Sequence, residues 1–461
     1  MINKPFFLNK LRYCKIYLAV LIFNMHLIKI ICMKNYLKTS VIYQVYVRNF
    51  TKEGTFNALE SKLDYIKNLG VDIVYLLPIS PIGVKDRKGV LGSPYSIQDY
   101  TKINPELGTL DDFKSLIEAT HKKGMKIMID IVYNHTSRDS WILKNHPEWM
   151  FHNKKGEVSN KIEDWSDVYD LDYSHPELIK YLVDVIDYYC SLGVDGYRFD
   201  VASLITKDFF DALKSMLNKK YPDTILLAES VHPGFVSFLR GENFNCLSDG
   251  ELIDHAFDLL YPYNSYENLR NYLETKDQKW LDFYKYALLL EDSMCPEYSM
   301  RIRCLENHDQ KALYEFSHDF VVLRNLAALM PYLKGPMFIY DGLETKNDHL
   351  LNLFNKDTMS WEIDEEWFAF IKKLIAYKKE KFNLDLNTST PLLNGGDTIA
   401  FKNVYKDGSY SFGVFSLSGK EETINDQTLI DGTYVDYLTG KEVTIKDHTI
   451  KVKEPLYLFK K

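Results

Sequence analysis

Gly193-Val-Asp-Gly-Tyr-Arg-Phe-Asp200 is the stretch whose reading decides the fold. A helical pattern with proline in its first turn, 176–192, stops at Gly193, a short apolar run follows, and an acid closes it. The same punctuation recurs in Leu226-Leu-Ala-Glu229 and in Arg303-Cys-Leu-Glu-Asn-His-Asp309. Outward from these three, strand-like runs stand at 41–47, 72–77, 126–132, 196–199, 224–227, 252–259, 301–305 and 336–340. Helical spacing fills intervals between them, at 55–69, 110–123 and 208–219. Strands alternating with helices predict βαβ units in a parallel sheet, and eight such strands close a barrel. The expected fold is therefore α/β, a (β/α)8 TIM barrel over residues 34–382. Acids at the C-terminal ends of its strands would gather on the face where such barrels build their sites.

Two segments fall outside the barrel rhythm. Residues 136–173 are too long for an ordinary connection and too aromatic for a linker, which predicts a short inserted lobe after strand 3. From about residue 383 the texture becomes alternating, with runs at 398–404, 410–416, 432–437, 442–445 and 456–459. These are divided by Asp407-Gly408, Ser418-Gly419, Asp431-Gly432 and Thr439-Gly440. A C-terminal antiparallel β-sandwich domain over 383–461 is expected.

Composition narrows the function. The net charge of −8 comes without any dense basic stripe, so no nucleic-acid partner is expected. The 33 tyrosines suit a sugar cleft but serve cores equally well. Cys14, Cys32, Cys190, Cys246, Cys295 and Cys304 show no CxxC or Cys/His ligand spacing, which reads as free thiols in a reducing compartment. Residues 1–33 form an apolar leader or a mis-annotated start. The run 16–33 is interrupted by Asn24, His26 and Lys29, against the roughly 20 apolar residues of a membrane helix. It also lacks a small-residue cleavage site. A membrane role is not expected, and the cytoplasm is the expected location unless 1–33 is a true signal or anchor.

Arg198 and Asp200 are two apart on one strand and share a face. A guanidinium beside a carboxylate lowers its pKa and keeps it ionised, as a nucleophile requires; a buried structural ion pair is the plain alternative. Glu229, one βα unit later, has the placement of a proton donor. His308 and Asp309 follow the seventh run, where they could hydrogen-bond sugar hydroxyls. Two carboxylates and a third acid are the equipment for cleaving a glycosidic bond.

Asp130-Ile-Val-Tyr-Asn134-His135, Gly196-Tyr-Arg198-Phe-Asp200, Glu229 and Asn307-His308-Asp309 resemble, in order, the four signature regions of the α-amylase family of glycoside hydrolases. Gly92-Ser-Pro-Tyr95 resembles the loop after the family's second strand, and Asp170-Leu-Asp172-Tyr173 the segment closing its inserted lobe. The resemblance spans roughly 40–383. It implies Asp200 as nucleophile, Glu229 as general acid/base and Asp309 as transition-state stabiliser in a retaining mechanism. It further implies that Arg198 positions Asp200, that His135 and His308 bind sugar hydroxyls, and that Tyr95 stacks on the attacked ring. The substrate implied is an α-1,4-glucan or malto-oligosaccharide. An α-glucosidase (α-1,6- or sucrose-directed) and a 4-α-glucanotransferase share the same triad. Non-catalytic transporter heavy chains also resemble the family, but they typically lack triad members that are all present here.

The pattern departs at Ser203 and Leu204, where many members carry Lys-His and use the histidine carbonyl as a calcium ligand. Asn134 and Asp172 match other calcium-ligand positions. The chemistry requires no cofactor; the resemblance leaves room for Ca2+ without demanding it.

Overall fold

A computed structural model describes residues 34–460 except 163, 164, 295, 297 and 394. The leader, with Cys14 and Cys32, lies outside the described residues, as does Cys295. Among the described residues no helix is long and apolar enough to cross a membrane.

Eight parallel strands form the barrel: β1 Val41–Val45, β2 Ile73–Leu76, β3 Lys126–Ile131, β4 Gly196–Phe199, β5 Ile225–Ala228, β6 Leu259–Leu260, β7 Met300–Arg301 and β8 Met337–Tyr340. They pair in the order β8-β1-β2-β3-β4-β5-β6-β7. The ring closes through Arg303, whose N–H donates to the Pro336 carbonyl at 2.8 Å and whose carbonyl accepts from Phe338 N at 2.9 Å. Alternation splits each strand between two cores. Ile42, Ile73, Tyr75, Met128, Ile225, Leu227 and Phe338 fill the barrel, while Tyr43, Val74, Ile127, Tyr197 and Leu226 face the helices. Each such fully buried side chain contributes about 1.5–3 kcal/mol.

Several elements differ from expectation for local reasons. The run 252–259 is not one strand. Glu251 accepts from the Ser248 N–H at 2.8 Å, which starts a helix at Asp249–His255 and leaves only Leu259–Leu260 extended. The 55–69 pattern becomes two helices, Phe56–Glu60 and Leu63–Leu69, the second ended by Gly70 at φ 108°. The seventh strand is shorter than 301–305, because Arg303 reaches across to close the barrel.

After β3 the chain makes a small antiparallel pair, His135–Ser137 with Val168–Asp170, around the helix Trp141–Asn145. The C-terminal part is a six-stranded antiparallel sheet plus the pair Glu422–Asn425 and Thr449–Val452. That pair and the strand Leu386–Leu392 carry too few apolar alternations to be read from sequence. Phe412, Val414, Ile424, Tyr434 and Ile450 make its core, so these aromatics serve packing. The sheet docks on the barrel through Tyr332, which stacks near Tyr377 and meets Phe401, Phe415 and Tyr457.

Candidate active site

Register does the assembling. Asp130 on β3 lies directly beside Arg198 on β4, and Asp200 follows two residues on, so one guanidinium meets two acids at once. Arg198 Nη1 donates to Asp130 Oδ1 at 2.8 Å and Oδ2 at 3.0 Å, and to Asp200 Oδ1 at 3.0 Å. Its Nη2 lies 2.9 Å from Glu229 Oε2, an ion pair without the alignment of a hydrogen bond. The arginine is wholly buried, and three surrounding carboxylates make that burial tolerable. Tyr75 OH and Tyr95 OH also donate to Asp130, at 2.6 and 3.0 Å.

Asp200 does not follow the simple expectation of an acid held ionised by its arginine. Burial pushes its carboxyl well above the usual range. Arg198 pulls it down, while Glu229, Asp130 and Asp309 push it up again. One positive charge divided among several acids is too little to offset that burial. Asp200 Oδ2 has no hydrogen-bond partner within the protein; His135 Nε2 lies 3.9 Å from it. Burial lowers His135 to about 4, so that ring is neutral at physiological pH.

Glu229 Oε2 accepts the Val201 N–H at 2.9 Å and Oε1 the Tyr263 hydroxyl at 3.2 Å. Offering that N–H, Val201 adopts φ 41° and ψ 44°, a left-handed conformation costly for a β-branched residue. Gln44 Nε2 donates to His308 Nδ1 at 3.0 Å, which leaves His308 Nε2 to donate to Tyr95 OH at 2.6 Å and to approach Asp309 Oδ2 at 3.0 Å. The Tyr95 and His308 rings stack 5.2 Å apart. Asp309 keeps 45 % of its side chain open to water. Partial burial acts upward on its carboxyl, but the His308 imidazole and Arg198 hold it below the usual range.

The fold thus brings Tyr95, His135, Asp200, Glu229 and Asp309 to one cleft of about 360 Å³. Arg198 lies beneath it and His308 at its side. Sequence reasoning gave no role to Asp130, Gln44, Tyr263 or Trp165. The signal for Asp130 was present, since it opens the quoted motif two residues before the end of the 126–132 run. Gln44, Tyr263 and Trp165, whose ring lies 5.3 Å from that of His135 and lines the cleft, carry no motif and enter only through packing.

The two candidate calcium ligands are not brought together. Asn134 Nδ2 donates to Asp170 Oδ1 at 3.3 Å, whereas Asp172 is partly exposed and accepts from Ser174 N at 2.9 Å. Asp170, fully buried, also accepts the Lys161 N–H at 2.9 Å and has the Lys161 ammonium 3.9 Å away. Asn134 Oδ1 is buried without a donor, the one mark in favour of a cation. Calcium takes 6–8 oxygens, and among the described residues no three His, Cys, Asp or Glu converge to hold a metal. With an ammonium already beside the single buried carboxylate, these residues do not fit a calcium ion. Ser203 instead pins the loop after Glu229, its Oγ accepting the Val231 N–H at 3.1 Å and its carbonyl the Leu247 N–H at 2.7 Å.

Comparison with known proteins agrees with this geometry. Residues 40–148 and 143–362 match the family model described as α-amylase catalytic domain, and 397–458 match the bacterial α-amylase C-terminal domain. The crystal structure of an α-amylase from Lactobacillus plantarum superposes with a TM-score of 0.84 at 36 % identity, covering 92 % of this chain and 99 % of that one. A maltogenic α-amylase from Thermotoga neapolitana gives 0.80 at 29 % identity, covering 92 % and 98 %. The intracellular maltogenic amylase of Bacillus subtilis is 26 % identical over 355 residues, 72 % of this chain but only 56 % of its own length. The chain thus spans little more than half of that curated relative. With the catalytic-domain model matching most of its length and the four acids converging as described, the chain belongs to the α-amylase family of glycoside hydrolases.

Proposed function

We propose that this protein is a retaining glycoside hydrolase of α-amylase type that cleaves α-1,4-glucosidic bonds in malto-oligosaccharides and starch-derived glucans. The observation that carries this reading is the state of Asp200. Arg198 fixes Oδ1 at 3.0 Å, Oδ2 is free of any protein partner, and Asp200 lines the same cleft as Glu229. Oδ2 attacks the anomeric carbon, and Glu229 gives its proton to the leaving glycosidic oxygen. The glycosyl ester on Asp200 is then opened by water, whose proton Glu229 takes back. Arg198 keeps Asp200 oriented through both steps. Asp309 and His308 hold hydroxyls of the distorted sugar, Tyr95 packs on its ring, and neutral His135 donates to another hydroxyl. No cofactor enters any step, and the Lys161 ammonium stands where a cation would otherwise meet Asp170.

Action on maltodextrins in the cytoplasm suits the buried free thiols Cys190, Cys246 and Cys304 and the intracellular relative. Purified protein incubated with maltoheptaose should release shorter saccharides whose new reducing ends are α-anomers by proton NMR. Asp200→Asn should lower the rate by on the order of 10³-fold or more with the circular dichroism unchanged. β-Anomeric products, or full activity in Asp200→Asn, would refute the mechanism; products longer than the input would mark a transferase.

A further inference from the structure

The loop after β2 does not end at Tyr95's side of the cleft; it runs on along one rim, from the inserted lobe to the loop after β8. On the lobe side, Val84 N–H donates to Asp139 Oδ2 at 3.1 Å, and Arg138 pairs with Asp86 at 3.2 Å. Lys88 pairs there with the buried Asp167 at 3.1 Å. On the other side, Val90 N–H donates to Asn355 Oδ1 at 2.9 Å and Leu91 N–H to the Phe354 carbonyl at 2.9 Å. The buried Arg48 holds both flanks, donating to the Gly92 and Leu353 carbonyls at 3.1 and 3.0 Å. At Gly89, φ is +64° and a Cβ would lie 2.6 Å from Phe354 Cβ, so the two loops are in direct contact. Residues 84–92 are therefore a strap joining the inserted lobe to the loop after β8.

Strand order tells which end of the cleft the strap covers. The ring runs β8-β1-β2-β3-β4-β5-β6-β7, which sets β5 opposite β1. Glu229, at the end of β5, must face the leaving group, and Val231 and Phe235 line that side. The strap spans the β8, β1 and β2 side, with Lys88 and Phe354 lining the cleft there. That is the side where the glycone lies, and beyond the glycone a glucan continues toward its non-reducing end. A wall tethered at this place would block a continuing chain.

We infer that the strap at 84–92 closes the glycone end of the cleft, so that the enzyme takes substrates by their non-reducing ends and releases short saccharides. This rests on the hydrolase reading above and specifies its substrate end. Two p-nitrophenyl maltoheptaosides test it, one free and one carrying a 4,6-ethylidene group on its non-reducing glucose. The blocked substrate should be cut about tenfold or more slower than the free one by the wild type. The double variant Lys88→Ala/Arg138→Ala releases the lobe end, and Asn355→Ala weakens the other; either should raise the blocked-to-free ratio about tenfold. Equal rates on the two substrates in the wild type would overturn the inference. So would an unchanged ratio in both variants when their circular dichroism shows them folded. Failure to cut even the free substrate would instead strike the hydrolase reading itself.

Discussion

At the scale of single residues, Asp200 carries the sharpest consequence of the charge arrangement. The nucleophilic role proposed for Asp200 requires it to be anionic in the free enzyme, so activity should fall as pH drops through its folded pKa. Burial and the neighbouring Glu229, Asp130 and Asp309 raise that pKa more than Arg198 lowers it. The acid limb of kcat/KM, which reports the free enzyme, should therefore lie above the ordinary aspartate value of about 3.9. Asp130→Asn removes one negative neighbour and leaves more of Arg198 to Asp200, so both effects move the limb downward. A pH profile of kcat/KM on maltoheptaose checks this, and a wild-type limb at or below the ordinary value would contradict it. His135, lowered to about 4 by burial, stays neutral across the working range and adds no limb there.

At the scale of elements, the inserted lobe is fastened by one buried acid. Asp170 ends the strand Val168–Asp170 and holds Asn134 and Lys161 together. Because the Lys161 ammonium already supplies positive charge, chelation with EDTA should leave the thermal midpoint unchanged, and added calcium should not raise it. A ligand binding only the native state at a hundred times its Kd would add about 2.7 kcal/mol, a shift calorimetry cannot miss. Such a shift on adding calcium to stripped protein would show that Asn134 and Asp170 do hold the ion. The elements also explain where the sequence was legible. Runs such as 196–199 and 410–416 are bounded by turn residues and coincide with strands. The run 252–259 misled because Ser248 and Glu251, just outside and at its edge, favour a helix start over an apolar strand.

At the scale of the molecule, barrel and C-terminal sheet share one aromatic seam. A Cβ at Gly413 would sit 2.5 Å from Tyr332 Cε1, so the strand lies flat on the ring only because glycine is there. Tyr332 also hydrogen-bonds Ser411 Oγ at 3.0 Å, and Asn325 Nδ2 donates to the Lys453 carbonyl at 2.8 Å. Gly413→Ala should cost about 1–3 kcal/mol by overpacking, read as a lower denaturant midpoint. Its kcat/KM should be unchanged where the protein is folded, since the seam is remote from the cleft. A wild-type midpoint would show that the two parts slide apart freely.

What the sequence determined by itself was the alternation of strands and helices in the barrel and which acids stand at its strand ends. Both are local: glycine and proline punctuation, apolar periodicity, and four motifs whose residues are close in the chain. Only the tertiary structure decided how those acids behave and what surrounds them. Burial, together with a register that set Asp130 beside Arg198 and so divided one guanidinium among three carboxylates, reversed the pKa direction expected for Asp200. Packing, not any motif, brought Gln44 to His308, Tyr263 to Glu229 and Lys161 to Asp170, and tied residues 84–92 to both the inserted lobe and the loop after β8. The Gln44–His308 contact joins positions 264 residues apart. The chain's periodicity records which face of an element is buried, but not which distant side chain it will be buried against.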